Sequence, residues 1–312
     1  MKVAFVATKT NHGKINYEDV RDSDVVIVTQ QFLMNFKYYP RLSYRDWVTA
    51  SSFNFNHRNN HLKIALRQRE VLFAAWVSYS HPSITETFAM AGFDFIAIDM
   101  EHSTINLSEA QRIISASQSY DVPCLPRPVS HSNNYIKPLL ESGADGMLFQ
   151  MVNTPDQLKK LINHFKFPPI GKRSYGVNRA QGYGFEFNNY ITDWNNSSSL
   201  ILQIETIEAV ENIESLLKFD EVDAVMIGPY DISGSLGVPG KLDHPKVIKA
   251  SKKVINACKK FGKSCGTQLN DPNKENIKKM FELGYTYIIL GSDLFVLWKW
   301  ADQMKGTMAN FK

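Results

Sequence analysis

The feature that most constrains this chain is an alternation of short apolar runs with segments of helical period. From Leu62 onward, LFAAWVS leads to ITETFAMAG, FDFIAID to LSEAQRIISASQSY, VPCLPRP to NNYIKPLLESG, and GMLFQMV to TPDQLKKLINHF. LILQIE, AVMIG, KSCGTQ and YTYIIL follow, each with a helical segment behind it. An apolar run of about four to eight residues reads as a strand buried on both faces, as in a parallel sheet. Strands alternating with helices of this length predict βαβ units. About eight such units close a (β/α)8 barrel. The expected fold is therefore α/β, a (β/α)8 TIM barrel with an N-terminal extension. A doubly wound open sheet is the alternative, but it wants a glycine-rich phosphate loop after its first strand, and AWVSYSHP is not one.

Helix punctuation agrees with this reading. Ser108, Thr154 and Asn273 suit N-caps, and Gly92, Gly143, Gly262 and Gly284 suit the left-handed position after a helix. Residues 1–60 differ: VAFVAT and DVVIVTQQF look like strands, and an aromatic, Asn-rich stretch follows. We read 1–60 as an extension, 61–305 as the barrel and 306–312 as a tail. The connection from Phe165 to Leu200 is unusually long and carries Arg173, Arg179 and Gln181. Its composition is not of low complexity, so it reads as an ordered lid or subunit-contact loop.

The net charge of +4 is spread over scattered lysines and arginines. No basic stripe points to nucleic acid. No apolar stretch reaches the ~18 residues of a membrane span. The three cysteines, Cys124, Cys258 and Cys265, have neither zinc nor disulfide spacing. Cys124 and Cys265 read as small core residues. The expectation is a cytoplasmic protein with no nucleic-acid or membrane partner.

The apolar runs end in reactive residues: Asp99, Glu101 and His102; Arg127; Gln203 and Glu205; Gly228 and Asp231. Barrel enzymes place their chemistry just past the carboxyl ends of several strands. Glu205 and Asp231 end consecutive runs, and neighbouring strands lie roughly 5 Å apart. The two could share one divalent ion, or be solvated or arginine-paired acids at a rim. His102 beside two carboxylates could be a general base or a surface histidine. Arg127, held between Pro126 and Pro128, could aim its fork at a carboxylate or enolate oxygen, or make a rim salt bridge. Gln203 shares a strand face with Glu205. The Gly228–Pro229 turn could offer backbone N–H groups to a carboxylate. The remaining histidines, His131 among them, read as surface or loop residues.

GFDFIAIDMEHS, PRPVSHSNNYIKPLLESGADG, PPIGKRSYGVNRAQGYG, ILQIETIEAVENI and DAVMIGPYDISGSLGVPG together resemble the HpcH/HpaI aldolases of the phosphoenolpyruvate/pyruvate barrels, over roughly residues 60–305. The resemblance implies a class II aldolase that reversibly cleaves a 4-hydroxy-2-oxo acid to pyruvate and an aldehyde. It implies a divalent metal on Glu205 and Asp231, Mg²⁺ before Mn²⁺ or Co²⁺. It implies His102 as the base with Asp99 in support, and Arg127 on the enolate. Trp76, Gln203, Gly228, Pro229, Tyr230 and Arg173 fall on the substrate side. A homo-oligomer, hexameric in the family, is expected. No lysine ends a site-forming run, which favours metal over imine chemistry. A lyase acting on an acyl-CoA ester and a non-catalytic binding barrel are the alternatives. Two segments depart from the family pattern: Ser174-Tyr175 after Arg173, and the seventh run, CGTQLNDP. Both direct variation to the acceptor pocket.

Overall fold

The computed structural model describes residues 3–5, 25–27 and 55–311. Met1–Phe55 and Asn56–Lys312 are separate compact units. In the first, β1 (Val3–Phe5) pairs in parallel with β2 (Val25–Ile27). These lie within the two strand-like runs of the extension. The other readings on residues 6–24 and 28–54 lie outside the described residues.

The second unit opens with helix α1 (Phe55–Gln68). Eight parallel strands follow: β3 (Leu72–Val77), β4 (Phe95–Asp99), β5 (Cys124–Arg127), β6 (Gly146–Phe149), β7 (Ser199–Ile204), β8 (Ala224–Ile227), β9 (Ser264–Gln268) and β10 (Tyr287–Ser292). Between them lie α2 (Pro82–Met90), α3 (Leu107–Gln118), α4 (Asn133–Glu141), α5 (Pro155–Phe165), α6 (Phe187–Ser197), α7 (Ile207–Glu211), α8 (Ile213–Leu217), α9 (Pro229–Ser235), α10 (Pro245–Lys260) and α11 (Lys274–Leu283). Helix α12 (Asp293–Ala309) ends the unit. This is the (β/α)8 barrel that the alternation predicts, with strand order β5-β4-β3-β10-β9-β8-β7-β6.

Capping chemistry sets the helix starts. Thr154 and Asn273 cap α5 and α11 as expected. The cap of α3 is Asn106, not Ser108. Asn106 accepts from the Glu109 N–H, and the Glu109 carboxylate accepts from the Asn106 N–H in return. That reciprocal box satisfies two orphan donors and starts the helix two residues before the serine. Gly92, Gly143, Gly262 and Gly284 all take the left-handed conformation.

Alternate residues of each strand fill the barrel. Leu72, Ala74 and Trp76, Phe95 and Ala97, Leu125, Leu148, Ile201, Ala224 and Met226, and Tyr287 and Ile289 form one interior cluster. Leu62 and Leu66 of α1 complete it, which places α1 as a plug across the amino-terminal ends of the strands. Large and small residues alternate so that the layers interdigitate. A Cβ on Gly266 would sit 2.2 Å from the Tyr287 ring, so that tyrosine requires a glycine opposite. The Tyr287 hydroxyl in turn donates to the Val225 carbonyl at 3.0 Å.

The ladder is interrupted at one seam, between β5 and β6. Arg127 and Pro123 carbonyls face β4, accepting from Met100 and Ile96. By alternation Cys124, Pro126 and Pro128 face β6, and two of these three have no N–H to give. Other groups close the seam. The Asp145 N–H donates to Cys124 O at 3.0 Å, and Cys124 N–H donates to the Asp145 carboxylate at 2.9 Å. Gln150 Nε2 donates to Pro128 O at 2.5 Å, and His131 Nε2 lies 2.6 Å from Gln150 O.

The long connection is ordered and contains a 3₁₀ turn over 179–184 and α6. Its anchors place it away from the carboxyl ends of the strands. Arg179 donates to Ser142 O, Trp194 Nε1 to Phe165 O, and Asn195 to Phe167 O. Ser142, Phe165 and Phe167 all lie at or just beyond the ends of α4 and α5, which run antiparallel to the strands. The segment therefore packs at the amino-terminal face, and the lid expectation is corrected.

Candidate active site

The interior alternation that fills the core continues to the carboxyl-terminal face and aims polar groups at the axis. Two residues beyond Ala74, Ala97, Leu125, Leu148 and Ile201 stand Trp76, Asp99, Arg127, Gln150 and Gln203. All five are buried. Arg127 is their hub. Its Nη2 donates to Asp99 Oδ1 at 2.7 Å and its Nη1 to Gln203 Oε1 at 3.1 Å. Nη1 also lies 3.0 Å from Glu101 Oε2 as an ion pair. The guanidinium sits 4.7 Å above the Trp76 ring. Charge, fork and ring leave the side chain one orientation.

The network runs on to Glu205. Gln203 Nε2 donates to Glu205 Oε2 at 2.5 Å, and the Met151 N–H donates to Glu205 Oε1 at 2.7 Å. Burial nonetheless pushes the Glu205 carboxyl up to about 7, and the charges of Glu101 and Asp231 add to that rise. Asp99 behaves in the opposite way. Burial opposes its ionisation, but the Arg127 charge and hydrogen bonds from the His102 N–H, Arg127 and Trp76 hold its carboxyl below the ordinary value. Gly228 leaves room for the acid: a Cβ there would lie 3.1 Å from Glu205 Cβ and 3.5 Å from Oε2.

Asp231 lies in the first turn of α9, exposed at the rim, with exposed Tyr230 and half-buried Pro229 beside it. His102 is also at the rim. Its side chain is 70% exposed, and Nε2 is 3.7 Å from Glu101 Oε2. Asp99 supports His102 through the main chain, accepting its N–H at 3.0 Å, while the carboxylate beside the imidazole is that of Glu101. The structure thus gathers Trp76, Asp99, Arg127, Gln203, Glu205, Gly228, Pro229, Tyr230, Asp231 and His102 at one face.

Arg173 is not among them. It is buried in a box of Phe167, Tyr190 and Trp194, with its guanidinium carbon 4.6, 5.3 and 4.8 Å from those rings. It donates to the Tyr190 hydroxyl at 2.9 Å and to Glu141 at 3.0 Å. Glu141 ends α4, so Arg173 belongs to the amino-terminal face. The sequence shows an arginine in a Gly-rich loop, but the aromatic partners that claim it come from α6 and the end of α5.

Gln150 and Asp293 at the mouth have no assigned role in the sequence reading, and Glu101 is read there only as a carboxylate beside His102. Glu101 bridges Arg127 and His102. Gln150 ends GMLFQ just as Gln203 ends LILQ, but the apolar Met151-Val152 behind it hides the strand end. Asp293, the first residue of α12, accepts the N–H groups of Ser78 and Tyr79 at 2.9–3.0 Å and so fixes the loop after Trp76.

A (β/α)8 barrel with a hydrogen-bonded charged cluster at its carboxyl-terminal face is the scaffold of an enzyme. Comparison with known proteins gives the kind. The sequence model of the HpcH/HpaI aldolase/citrate lyase family matches residues 72–299, and the chain belongs to that family of carbon–carbon lyases. A 2-keto-3-deoxy-L-rhamnonate aldolase of Salmonella typhi is 30% identical over 256 residues, covering 81% of this chain and 94% of that protein. The protein of that name from Escherichia coli O17:K52:H18 is 31% identical over 255 residues, covering 81% and 93%. Among solved structures, an HpcH/HpaI aldolase/citrate lyase family protein from Burkholderia cenocepacia J2315 superposes with a TM-score of 0.74 at 28% identity, covering 80% of this chain and 99% of that one.

Proposed function

We propose that this chain is a class II aldolase that reversibly splits a 4-hydroxy-2-oxo acid into pyruvate and an aldehyde. The observation that carries the reading is the continuous network Asp99–Arg127–Gln203–Glu205 beside Asp231. The relatives named as 2-keto-3-deoxy-L-rhamnonate aldolase support it.

Glu205 and Asp231 are the residues that would hold a divalent cation, Mg²⁺ foremost, with Mn²⁺ or Co²⁺ as substitutes. They fit one. A buried carboxylate facing two further carboxylates is a site that a cation relieves. Two carboxylates with the remaining positions left to water and substrate suit Mg²⁺, which dehydrates reluctantly. Among the described residues no group of three or more His, Cys, Asp or Glu is placed to hold a metal ion, so the pair Glu205 and Asp231 would have to be completed by water and substrate. When bound, the ion supplies a Lewis acid beside the 2-oxo group.

The chain's own groups do the rest. Arg127 is locked by Asp99, Glu101, Gln203 and Trp76, yet its buried Nε has no partner. Arg127 is the cation nearest the Glu205–Asp231 pair in this network, and its guanidinium is the group we assign to the enolate oxygen of pyruvate. The Gly228 N–H is taken by Ile204 O and Pro229 has none, so the first helical turn offers the N–H groups of Tyr230 and Asp231 to the substrate carboxylate. In the cleavage direction the 4-hydroxyl loses its proton, the C3–C4 bond breaks, the aldehyde leaves, and C3 of the enolate is protonated. His102, with Glu101 beside its ring, is the group placed at the rim to carry that proton. The exposed apolar side chains of α12, Val296, Leu297, Trp298 and Trp300 among them, support self-association of the enzyme.

The test needs no aldehyde. Pyruvate in D₂O should exchange its methyl protons in the presence of the enzyme and Mg²⁺. EDTA should stop the exchange, and Mg²⁺, Mn²⁺ or Co²⁺ should restore it. Exchange that persists in EDTA would falsify the metal requirement, and no exchange with any of the ions would remove the aldolase reading.

A further inference from the structure

Gln150 is a buried carboxamide half of which has no partner. Its Nε2 is committed to Pro128 O at 2.5 Å, across the seam that two prolines leave short of donors. Its backbone carbonyl is committed to His131. Its Oε1 is buried and accepts from nothing. The residue itself is 3% exposed. Buried acceptors are almost always paired, so an orphan in the interior of an enzyme mouth calls for an occupant.

Its place says which occupant. Gln150 stands two residues beyond Leu148, which points into the barrel, so its side chain joins the layer of Arg127 and Gln203. Strand β6 lies between the strands that carry those residues, and the next residue, Met151, donates its N–H to Glu205. The pyruvate half of the substrate has its partners in Arg127, the Gly228 turn and the Glu205–Asp231 pair. The other half, the aldehyde, has none among them. An acceptor oxygen binds a donor, and Gln150 carries no charge to neutralise a carboxylate. The donor an aldehyde can bring is a hydroxyl.

We propose that Gln150 is a specificity-determining residue whose Oε1 accepts a hydrogen bond from a hydroxyl on the aldehyde half of the substrate, so that this enzyme selects hydroxyaldehydes over aldehydes lacking that group. The inference rests on the aldolase reading above. It requires no new bond-making step; it adds one hydrogen bond, O–H donating to Oε1, in the bound complex.

The test compares matched acceptors in pyruvate condensation: glycolaldehyde against propanal, and lactaldehyde against 2-methylpropanal. In each pair a methyl replaces the hydroxyl at nearly constant volume. The parent enzyme should prefer the hydroxylated member in kcat/KM by about tenfold or more. Gln150→Leu should bring the ratio close to one. The substitution also removes the seam bond to Pro128 and lowers the folded fraction, but a ratio of two substrates on one preparation is independent of that fraction. Gln150→Glu, which retains an acceptor at the same reach, should keep more of the preference than Gln150→Leu. An unchanged ratio in Gln150→Leu, or a parent enzyme with no preference, overturns the role of Gln150 while methyl exchange of pyruvate still upholds the aldolase. Absence of that exchange in the parent enzyme overturns both.

Discussion

The two ends of the barrel both bury charge, and they bury it differently. At the amino-terminal end Asp223 is fully buried, and both its oxygens are occupied: Lys63 Nζ donates to each at 2.7 Å, Arg67 Nε to one at 2.9 Å, and the Leu200 N–H to the other at 2.9 Å. Lys63 and Lys166 both reach the Ser198 carbonyl. At the carboxyl-terminal end three carboxylates, Glu101, Glu205 and Asp231, repel one another. There Arg127 Nε and Gln150 Oε1 have no hydrogen-bond partner, and Glu101 Oε2 is held by the Arg127 charge. A saturated buried ion pair holds helix α1 to the barrel floor. An unsaturated one keeps donors and acceptors free for a ligand and gives up stability to do so. The contrast is between two clusters rather than two whole faces, since Glu141 Oε2, Arg173 Nε and Gln181 Nε2 at the amino-terminal face also have no hydrogen-bond partner; it assigns stability to the Asp223 cluster and chemistry to the Arg127 cluster.

The largest expected effects come from exchanging a hub at each end. Arg127→Lys keeps the charge but loses the fork that holds Asp99 and Gln203 together, together with the free Nε. Turnover in pyruvate methyl exchange should fall by about 10²–10³-fold, with a folded protein by circular dichroism. Activity within a few-fold of the parent would reduce Arg127 to an ion pair of the rim. Lys63→Met acts at the other end. It leaves Asp223 with Arg67 alone, and breaking such a buried pair costs about 3–5 kcal/mol. The loss should appear in urea unfolding, while kcat per folded molecule stays that of the parent. A change in kcat would mean that the floor and mouth are coupled, and the division of labour would fail.

How much of this was legible in the sequence follows the same division. The eight strands were, because a strand buried on both faces needs a run of apolar or small residues. Asp99, Arg127, Gln203 and Glu205 were, because each ends such a run. Their wiring was not. Hydrogen bonds join β4 to β5 and β5 to β7, and nothing along the chain tells that Arg127 would bind Asp99 and Gln203 while leaving Nε free. Arg173 shows the converse error. A loop arginine that the family resemblance puts on the substrate side is enclosed by three aromatic rings at the other face. Asn106 caps α3 through a reciprocal box with Glu109, and Ser108 has Gln111 at the same spacing, so the local pattern alone leaves both starts open. A distant set of partners decides Arg173, a neighbour in the first helical turn decides Asn106, and local period decides the eight strands.

The floor also responds to pH, with a change that is spread over several pH units. Lys166 is buried, and its ammonium group donates to Asn195 O at 2.8 Å and Ser198 Oγ at 2.7 Å. Burial, with the nearby charge of Lys63, lowers its pKa from 10.5 to about 7. The folded chain therefore sheds a proton in a range where the unfolded chain keeps it. Stability must rise with pH from about 7 toward 10.5, by at most ~1.4 kcal/mol per pH unit from this group. Below about pH 7 both states hold the proton, and the unfavourable contribution is present in full. Urea unfolding at intervals across that window should show the rise, and Lys166→Met should flatten it. Lys63 and Lys263 are lowered in the same direction by burial, so a residual slope in the variant is theirs. A parent enzyme whose stability falls with pH through this window would mean that Lys166 is held as a cation, with Asp223 rather than burial in control. The floor would then resemble the mouth, where charge and not desolvation sets the arrangement around Arg127.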